Sequence, residues 1–261
     1  MRYFMRLAFN GTPFFGWQIQ PKDISVQEVI ENALTLLLQR PSAEDGQRER
    51  IAITGCGRTD TGVHARDFMA HFDFPEELDE NRRMQLVNKL NSFLPKEIVI
   101  YSIVPVADDA HARFDALDRT YRYYVNIRKD AFNFPYAYRI FEKLDVDKMN
   151  EAASLLLRNE DFTSFSKVHT QVNNMRCHVT HAQWEQCDGQ LVFTITANRF
   201  LRNMVRAIVG TLLLVGKGKI SVQDFQDIIE QKDRCKAGDS APAHALFLEK
   251  VRYDYKRDVK T

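Results

Sequence analysis

Nine residues, GRTDTGVHA from Gly57 to Ala65, set one carboxylate between an arginine and a glycine. Asp60 has Arg58 two residues before it and Gly62 two after, and Gly55, Gly57, Thr59 and Thr61 complete a run of small residues. Glycine lets a backbone take positive φ and approach a ligand closely. An acid held in such a run beside a guanidinium is placed for nucleophilic or acid–base work. The plain alternative is a hairpin turn in which Asp60 caps a backbone amide and Gly62 supplies the left-handed residue. Arg58, His64 and the length of the loop argue for more than a two-residue hairpin. Asp-Thr-Gly also has the form of an aspartic protease loop, whose chemistry needs two carboxylates sharing a proton. The chain has one such triplet, so only a dimer would complete that site, and the β-rich pattern of those enzymes is missing.

Basic residues gather in a second stretch, Asn198-Arg199-Phe200-Leu201-Arg202-Asn203-Met204-Val205-Arg206. From Gly189 to Gln223 there are five basic residues and no acid. Read as one helix over 200–215, the stretch puts Arg202 and Arg206 at i and i+4 on one face, with Arg199 near the start. A solvated basic face is the plain reading. Three arginines opposite an apolar stripe, with no acid nearby in sequence, fit a phosphate-binding or carboxylate-pairing surface at least as well.

A third stretch, Arg119-Thr120-Tyr121-Arg122-Tyr123-Tyr124, interleaves aromatic and basic residues. On a strand, Tyr121 and Tyr123 share one face, and Arg122 and Tyr124 the other. Sheet aromatics are mostly core, but with arginines between them they can form a platform for a stacked base. Tyr123 is expected in the core, and spacing alone leaves Tyr121 open. Cys177, His178, His181 and Cys187 have the residue types of a zinc site. His178 and His181 are three apart, so on one strand they point to opposite faces, and tetrahedral ligation would break the strand. No metal is expected there.

These side chains need elements to hold them. Arg2–Phe9 reads as a strand, followed by the aromatic loop GTPFFGWQIQP. Ser25 and Glu28 fit a capping box, with Ile24 and Val29 spaced as a staple, and apolar residues from Val26 to Leu38 follow the helical period until Pro41. Ile51–Thr54 and Phe68–Phe74 are strands on either side of the Asp60 loop. A helix over Glu80–Phe93 presents Met84, Leu86, Val87 and Leu90, and Ile98–Val104 is a strand. The order is βαββαβ. Tyr121–Ile127, a helix over Asp147–Leu157, a hairpin of His178–Glu185 and Leu191–Ala197 turning at Asp188-Gly189, a helix over Phe200–Val215 ending at Gly216, and a strand over Ala245–Tyr253 repeat it. Ser221 opens an extra short helix with Asp224. Two successive βαββαβ units predict an α+β protein of two tandem ferredoxin-like halves, residues 1–107 and 108–261; the family resemblance given below adds a mostly antiparallel central sheet and a catalytic cleft between the halves.

Composition bounds the rest. With 261 residues and 44% hydrophobic content, a substantial core forms without metal or disulfide support. A net charge of +1 carries no global advertisement of nucleic acid, so any such site is a local patch. The four cysteines show no Cys-x-x-Cys spacing, no secretory signal is read at the N-terminus, and no apolar stretch approaches a membrane span. A cytoplasmic chain with reduced thiols is expected. Walker, dinucleotide and nucleophile-elbow motifs are absent from the sequence.

Taken together, the motifs resemble the tRNA pseudouridine synthase A family. GRTDTGVHA is similar to its catalytic signature, GRTDAGVHA. Gly11-Thr12 with Phe14-Phe15-Gly16-Trp17-Gln18 and Gln20, Leu94-Pro95, His111-Ala112-Arg113, Arg119-x-Tyr121-x-Tyr123, Asp161-Phe162-x-Ser164-Phe165, Met204-Val205-Arg206 and Ala241-Pro242-Ala243 resemble further family motifs in the same order. Departures are Phe9-Asn10 for Tyr-Asp, Thr61 for Ala, Ala110 for Phe and Ala245 for Gly. The resemblance implies isomerisation of uridine to pseudouridine at positions 38, 39 and 40 of the tRNA anticodon stem-loop, by a homodimer without metal or organic cofactor. It maps Asp60 onto the nucleophile, Tyr121 onto the active-site tyrosine, Arg206 onto the arginine paired with the acid and Arg58 onto the arginine that helps expel the target base. Arg202 is expected to add a substrate contact.

Overall fold

The computed structural model describes residues 1–39, 46–167 and 174–254. They form two compact units: Met1–Leu117 with the segment from Lys250 onward, and Asp118–Glu249. The division between these units falls between Leu117 and Asp118, ten residues beyond the expected 107/108, and Lys250–Asp254 belong to the first unit. Local bonds hold that segment. The Leu117 amide donates to the Arg252 carbonyl at 2.8 Å, and the Tyr253 hydroxyl donates to the Ala112 carbonyl at 2.5 Å. The Tyr253 ring meets Phe4 edge-on at 5.5 Å.

The first unit runs β1 (Arg2–Phe9), α1 (Val26–Leu38), β2 (Ile53–Gly55), β3 (His64–Asp73), α2 (Glu80–Phe93) and β4 (Ile98–Val106). β1 lies between β3 and β4, antiparallel to both, with Met5 opposite Ala70 on one side and Ile103 on the other. β2 continues the sheet beyond β3, with Thr54 opposite His71. Tyr3, Met5, Leu7, Phe68 and Phe72 are buried, as are Val26, Ile30, Ala33 and Leu34 of α1 and Leu86 and Leu90 of α2. One half of the expected capping box is present at α1: Ser25 Oγ accepts from the Glu28 amide at 3.2 Å. The staple does not form, because Ile24 is 61% exposed. Met84 likewise points to solvent rather than into the core. Pro41, read as the end of the first helix, lies outside the described residues.

The second unit runs β5 (Asp118–Asn126), β6 (Tyr138–Arg139), α3 (Val146–Leu155), β7 (Val179–Cys187), β8 (Gln190–Ala197), α4 (Met204–Gly216), α5 (Val222–Gln231) and β9 (Leu246–Arg252), the last ending in the first unit. β8 is antiparallel to both β5 and β7, with Phe193 opposite Tyr123 and Trp184. β6, an addition to the expected order, pairs parallel to β5. Asp188 and Gly189 both have positive φ, 49° and 78°, as a type I′ hairpin requires. α5 carries a full capping box between Ser221 and Asp224.

Helix side chains finish the sheet edges. Asn91 on α2 accepts from the Ile100 amide and donates to its carbonyl, both at 2.8 Å. Asn150 on α3 does the same for Trp184 of β7, at 2.7 and 3.0 Å. Each side-chain amide takes the place of a missing neighbouring strand and blunts the edge against other chains. Among the described residues no helix is long and apolar enough to cross a membrane.

Candidate functional site

Asp60 sits in the connection between β2 and β3, in the first unit. The Val63 amide donates to the Asp60 carbonyl at 3.1 Å, and Gly62 takes φ 77°. This is a turn with a left-handed third residue, so the plain hairpin reading describes its last four residues. The rest of the connection is anchored from outside. The Trp17 amide donates to the Thr59 carbonyl at 3.4 Å, the Gly62 amide to the Phe14 carbonyl at 3.3 Å, and the Cys56 amide to the Met69 carbonyl at 2.7 Å. Main chain of the aromatic loop after β1 therefore grips the residues on both sides of the acid. Gly16 takes φ 86° there, and a Cβ on it would lie 2.4 Å from the Thr59 carbonyl oxygen. The Trp17 ring stacks on Phe68 of β3 at 4.1 Å and fixes the base of that loop.

Within the motif the side chains separate by task. Asp60 is partly exposed, Arg58 exposed and Thr59 buried. The Thr59 hydroxyl is buried with no hydrogen-bond partner, a cost of about 1–3 kcal/mol that native proteins mostly avoid away from functional sites. His64, singled out in sequence as a loop histidine, is the first residue of β3 and 1% exposed. Its Nδ1 accepts from the Gly11 amide at 3.0 Å, so it ties the loop after β1 to the motif.

Tyr121, Arg202 and Arg206 belong to the second unit. Tyr121 on β5 is partly buried, its ring edge-on to Phe200 at 5.1 Å. Tyr123 is core, as expected: it is fully buried and donates to the Pro242 carbonyl at 3.0 Å. Burial pushes its hydroxyl well above the usual phenol range, with Tyr138 adding and Arg206 opposing. Arg206, in the first turn of α4, donates through Nε to the Ala241 carbonyl at 2.7 Å and accepts the Ala241 amide on its own carbonyl at 2.9 Å. The segment around Ala241 thus locks the guanidinium in place.

The helical reading of 200–215 needs correction. Asn203 takes φ 66°, a left-handed residue that stops any helix from continuing backwards, and α4 starts at Met204. Arg202 lies in the preceding turn and is exposed, so Arg202 and Arg206 do not share a helix face. At the other end Gly216 is the last helical residue, and the left-handed glycine is Gly218 at φ 66°. His178 precedes β7, and the strand shifts register between Val179 and His181. Cys177 is buried, which pushes its thiol up to about 11 despite Arg199 nearby. Among the described residues no group of three His, Cys, Asp or Glu side chains could hold a metal ion.

One cluster near the motif carries no sequence motif of its own: Gln27 and Glu31 on α1 bond the main chain of Ile53, the first residue of β2. Their i, i+4 spacing was the available signal, but charged and amide residues on a helix are usually solvated, and only packing revealed that Glu31 is buried.

The sequence profile of a family described as tRNA pseudouridine synthase matches residues 152–254. A protein named tRNA pseudouridine synthase A from Bacteroides fragilis is 54% identical over 254 residues, covering 97% of this chain and 96% of that one. Its namesake from Parabacteroides distasonis is 52% identical over 252 residues, covering 97% and 96%. That from Bacillus subtilis is 38% identical over 256 residues, covering 97% and 100%. Similarity at this level along nearly the whole length, with the Asp60 loop gripped by main chain on both sides, means that the chain belongs to the tRNA pseudouridine synthase A family.

Proposed function

We propose that this protein isomerises uridine to pseudouridine at positions 38, 39 and 40 of the tRNA anticodon stem-loop, with Asp60 as the nucleophile. The observation that carries this reading is the Asp60 loop, a partly exposed carboxylate whose flanking carbonyl and amide are held by Trp17 and Phe14 main chain. The reaction breaks the bond from ribose C1′ to uracil N1 and forms one from C1′ to C5. The C5 proton leaves to solvent and N1 gains one, so atoms balance without redox or hydrolysis, and neither metal nor organic cofactor takes part. The carboxylate must stay ionised to add to the ring or the ribose, which a guanidinium near it favours. The family resemblance assigns that role to Arg206, with Tyr121 to stack on the extruded base, Arg58 to fill the place the base leaves and Arg202 to contact the RNA backbone. The test is tritium release from tRNA labelled at uridine C5. Asp60→Asn should fold and bind tRNA but release none, and Arg206→Ala should lose turnover with a smaller loss of binding. Normal release by Asp60→Asn would refute the assignment.

The strand orders support tandem ferredoxin-like halves, with β4-β1-β3-β2 in the first unit and β9-β5-β8-β7 in the second. The reading further includes a cytoplasmic homodimer. An exposed aromatic run after β5 supports the assembly: Phe132, Phe134 and Phe141 are 89%, 67% and 83% exposed. With Tyr136 these residues expose about 550 Å² in all, against the roughly 800 Å² that each partner of a stable pair buries. Light scattering should give twice the chain mass of 30.4 kDa.

A further inference from the structure

We infer that Gln27 and Glu31 on α1 are positioning residues for the Asp60 loop, acting through the first residue of β2. The inference rests on Asp60 being the reacting acid.

Ile53 opens β2, the short strand that leads into the motif. Its amide donates to Glu31 Oε1 at 2.9 Å, and its carbonyl accepts from Gln27 Nε2 at 2.9 Å. Gln27 Nε2 also donates to Glu31 Oε1 at 2.9 Å, while Gln27 Oε1 accepts from the Ile19 amide at 3.3 Å. Arg50 closes the cluster by donating through Nε to Glu31 Oε2 at 2.5 Å, with its Nη2 on the same oxygen. One pair of helix side chains thus binds both segments that hold the acid: β2, which enters the motif, and the loop after β1, whose Trp17 and Phe14 main chain grips Thr59 and Gly62. The Gln27 amide itself donates to the Trp17 carbonyl at 3.0 Å, so the cluster touches that loop at two points.

The other sheet edges show what this cluster adds. Asn91 at β4 and Asn150 at β7 each finish an edge with one neutral side chain. At β2 the same task takes a carboxylate that is 1% exposed, a glutamine and an arginine. Removing a charge from water is unfavourable unless it is fully paired and hydrogen-bonded, so edge closure alone does not call for it. A charged acceptor makes stronger and more directional bonds than an amide. It appears at the one edge strand that feeds the reacting acid. A carboxylate that must meet one atom of an extruded nucleotide gains from such stiffness, since displacements of about 1 Å are worth roughly 100-fold in rate.

The test measures single-turnover conversion at saturating tRNA, the tRNA Kd and the thermal midpoint in the full-length enzyme. Gln27→Ala should lower the single-turnover rate at least tenfold with Kd within twofold. Glu31→Gln sets an amide against the Arg50 guanidinium and should lose a similar amount, and Glu31→Gln with Arg50→Gln should recover part of it. Asn91→Ala, which opens the β4 edge, should lower the thermal midpoint and leave the rate within twofold. A Gln27→Ala rate within twofold of wild type overturns the inference, as does an equal rate loss in Asn91→Ala or a loss confined to Kd. If Gln27→Ala does not fold, Glu31→Gln decides by the same criteria. Asp60→Asn runs alongside: if it converts tRNA normally, the assignment of the acid has failed, which is a separate result.

Discussion

Replacing Gly16 with alanine reaches Asp60, the proposed nucleophile, without touching it. Gly16 takes φ 86°, where an L side chain costs about 1–2 kcal/mol. The new Cβ would lie 2.4 Å from the Thr59 carbonyl oxygen and 3.3 Å from the Asp60 carbonyl carbon. Ordinary contact begins near 3.4 Å, so the two segments must part by about 1 Å. The Trp17–Thr59 hydrogen bond is already 3.4 Å long and would break. Asp60 would move with its neighbour, and about 1 Å at a reacting group corresponds to roughly 100-fold in rate, or about 2.7 kcal/mol of barrier. Single-turnover conversion of tRNA by Gly16→Ala should therefore fall by about two orders of magnitude, while tRNA binding changes far less. The comparison is Gly57→Ala in the motif itself. Gly57 is not left-handed and an added Cβ meets nothing within 4 Å, so its thermal midpoint should match wild type. A Gly16→Ala rate within threefold of wild type would show that the grip of the first loop does not set the position of the acid.

Two other perturbations follow from the folded chain. His71 is buried, and burial, with Arg2 and His111 adding to it and Asp73 and Asp115 opposing, lowers its pKa to about 4. The unfolded chain then binds the proton more readily, so the stability contribution is full above pH 6.5 and is lost as pH falls towards 4, at most about 3 kcal/mol. His71→Asn should flatten that part of the thermal midpoint against pH curve, and an unchanged slope would contradict the shift. Asn150→Ala leaves both backbone groups of Trp184 without their partner, so urea unfolding should show a loss of about 2 kcal/mol with the single-turnover rate of the folded enzyme unchanged.

Much of this protein was legible from local pattern. The βαββαβ order of the first unit, the Ser25 and Ser221 caps, the Asp188-Gly189 hairpin and the core place of Tyr123 depend on period, capping and turn chemistry, which act over a few residues. The Asp60 motif stood out for the same reason, as small residues around an acid. Where local signals competed, sequence alone failed. Apolar spacing carried the fourth helix back to Phe200, yet Asn203 turns left-handed and its side chain donates to Ser240 at 2.6 Å, 37 residues away. The addition of β6 and the place of Lys250–Asp254 in the first unit also rest on distant pairs, such as Tyr253 with Ala112. His64 looked like chemistry and is an anchor for Gly11. Glu31, which no sequence pattern singles out, is a buried acceptor for the Ile53 amide. What a polar side chain does depends on which backbone groups long-range packing leaves in need of a partner, and that need is created only when the chain has folded. The sequence by itself singled out Asp60 and the small residues around it; tertiary structure decided which main chain and which buried side chains hold that loop.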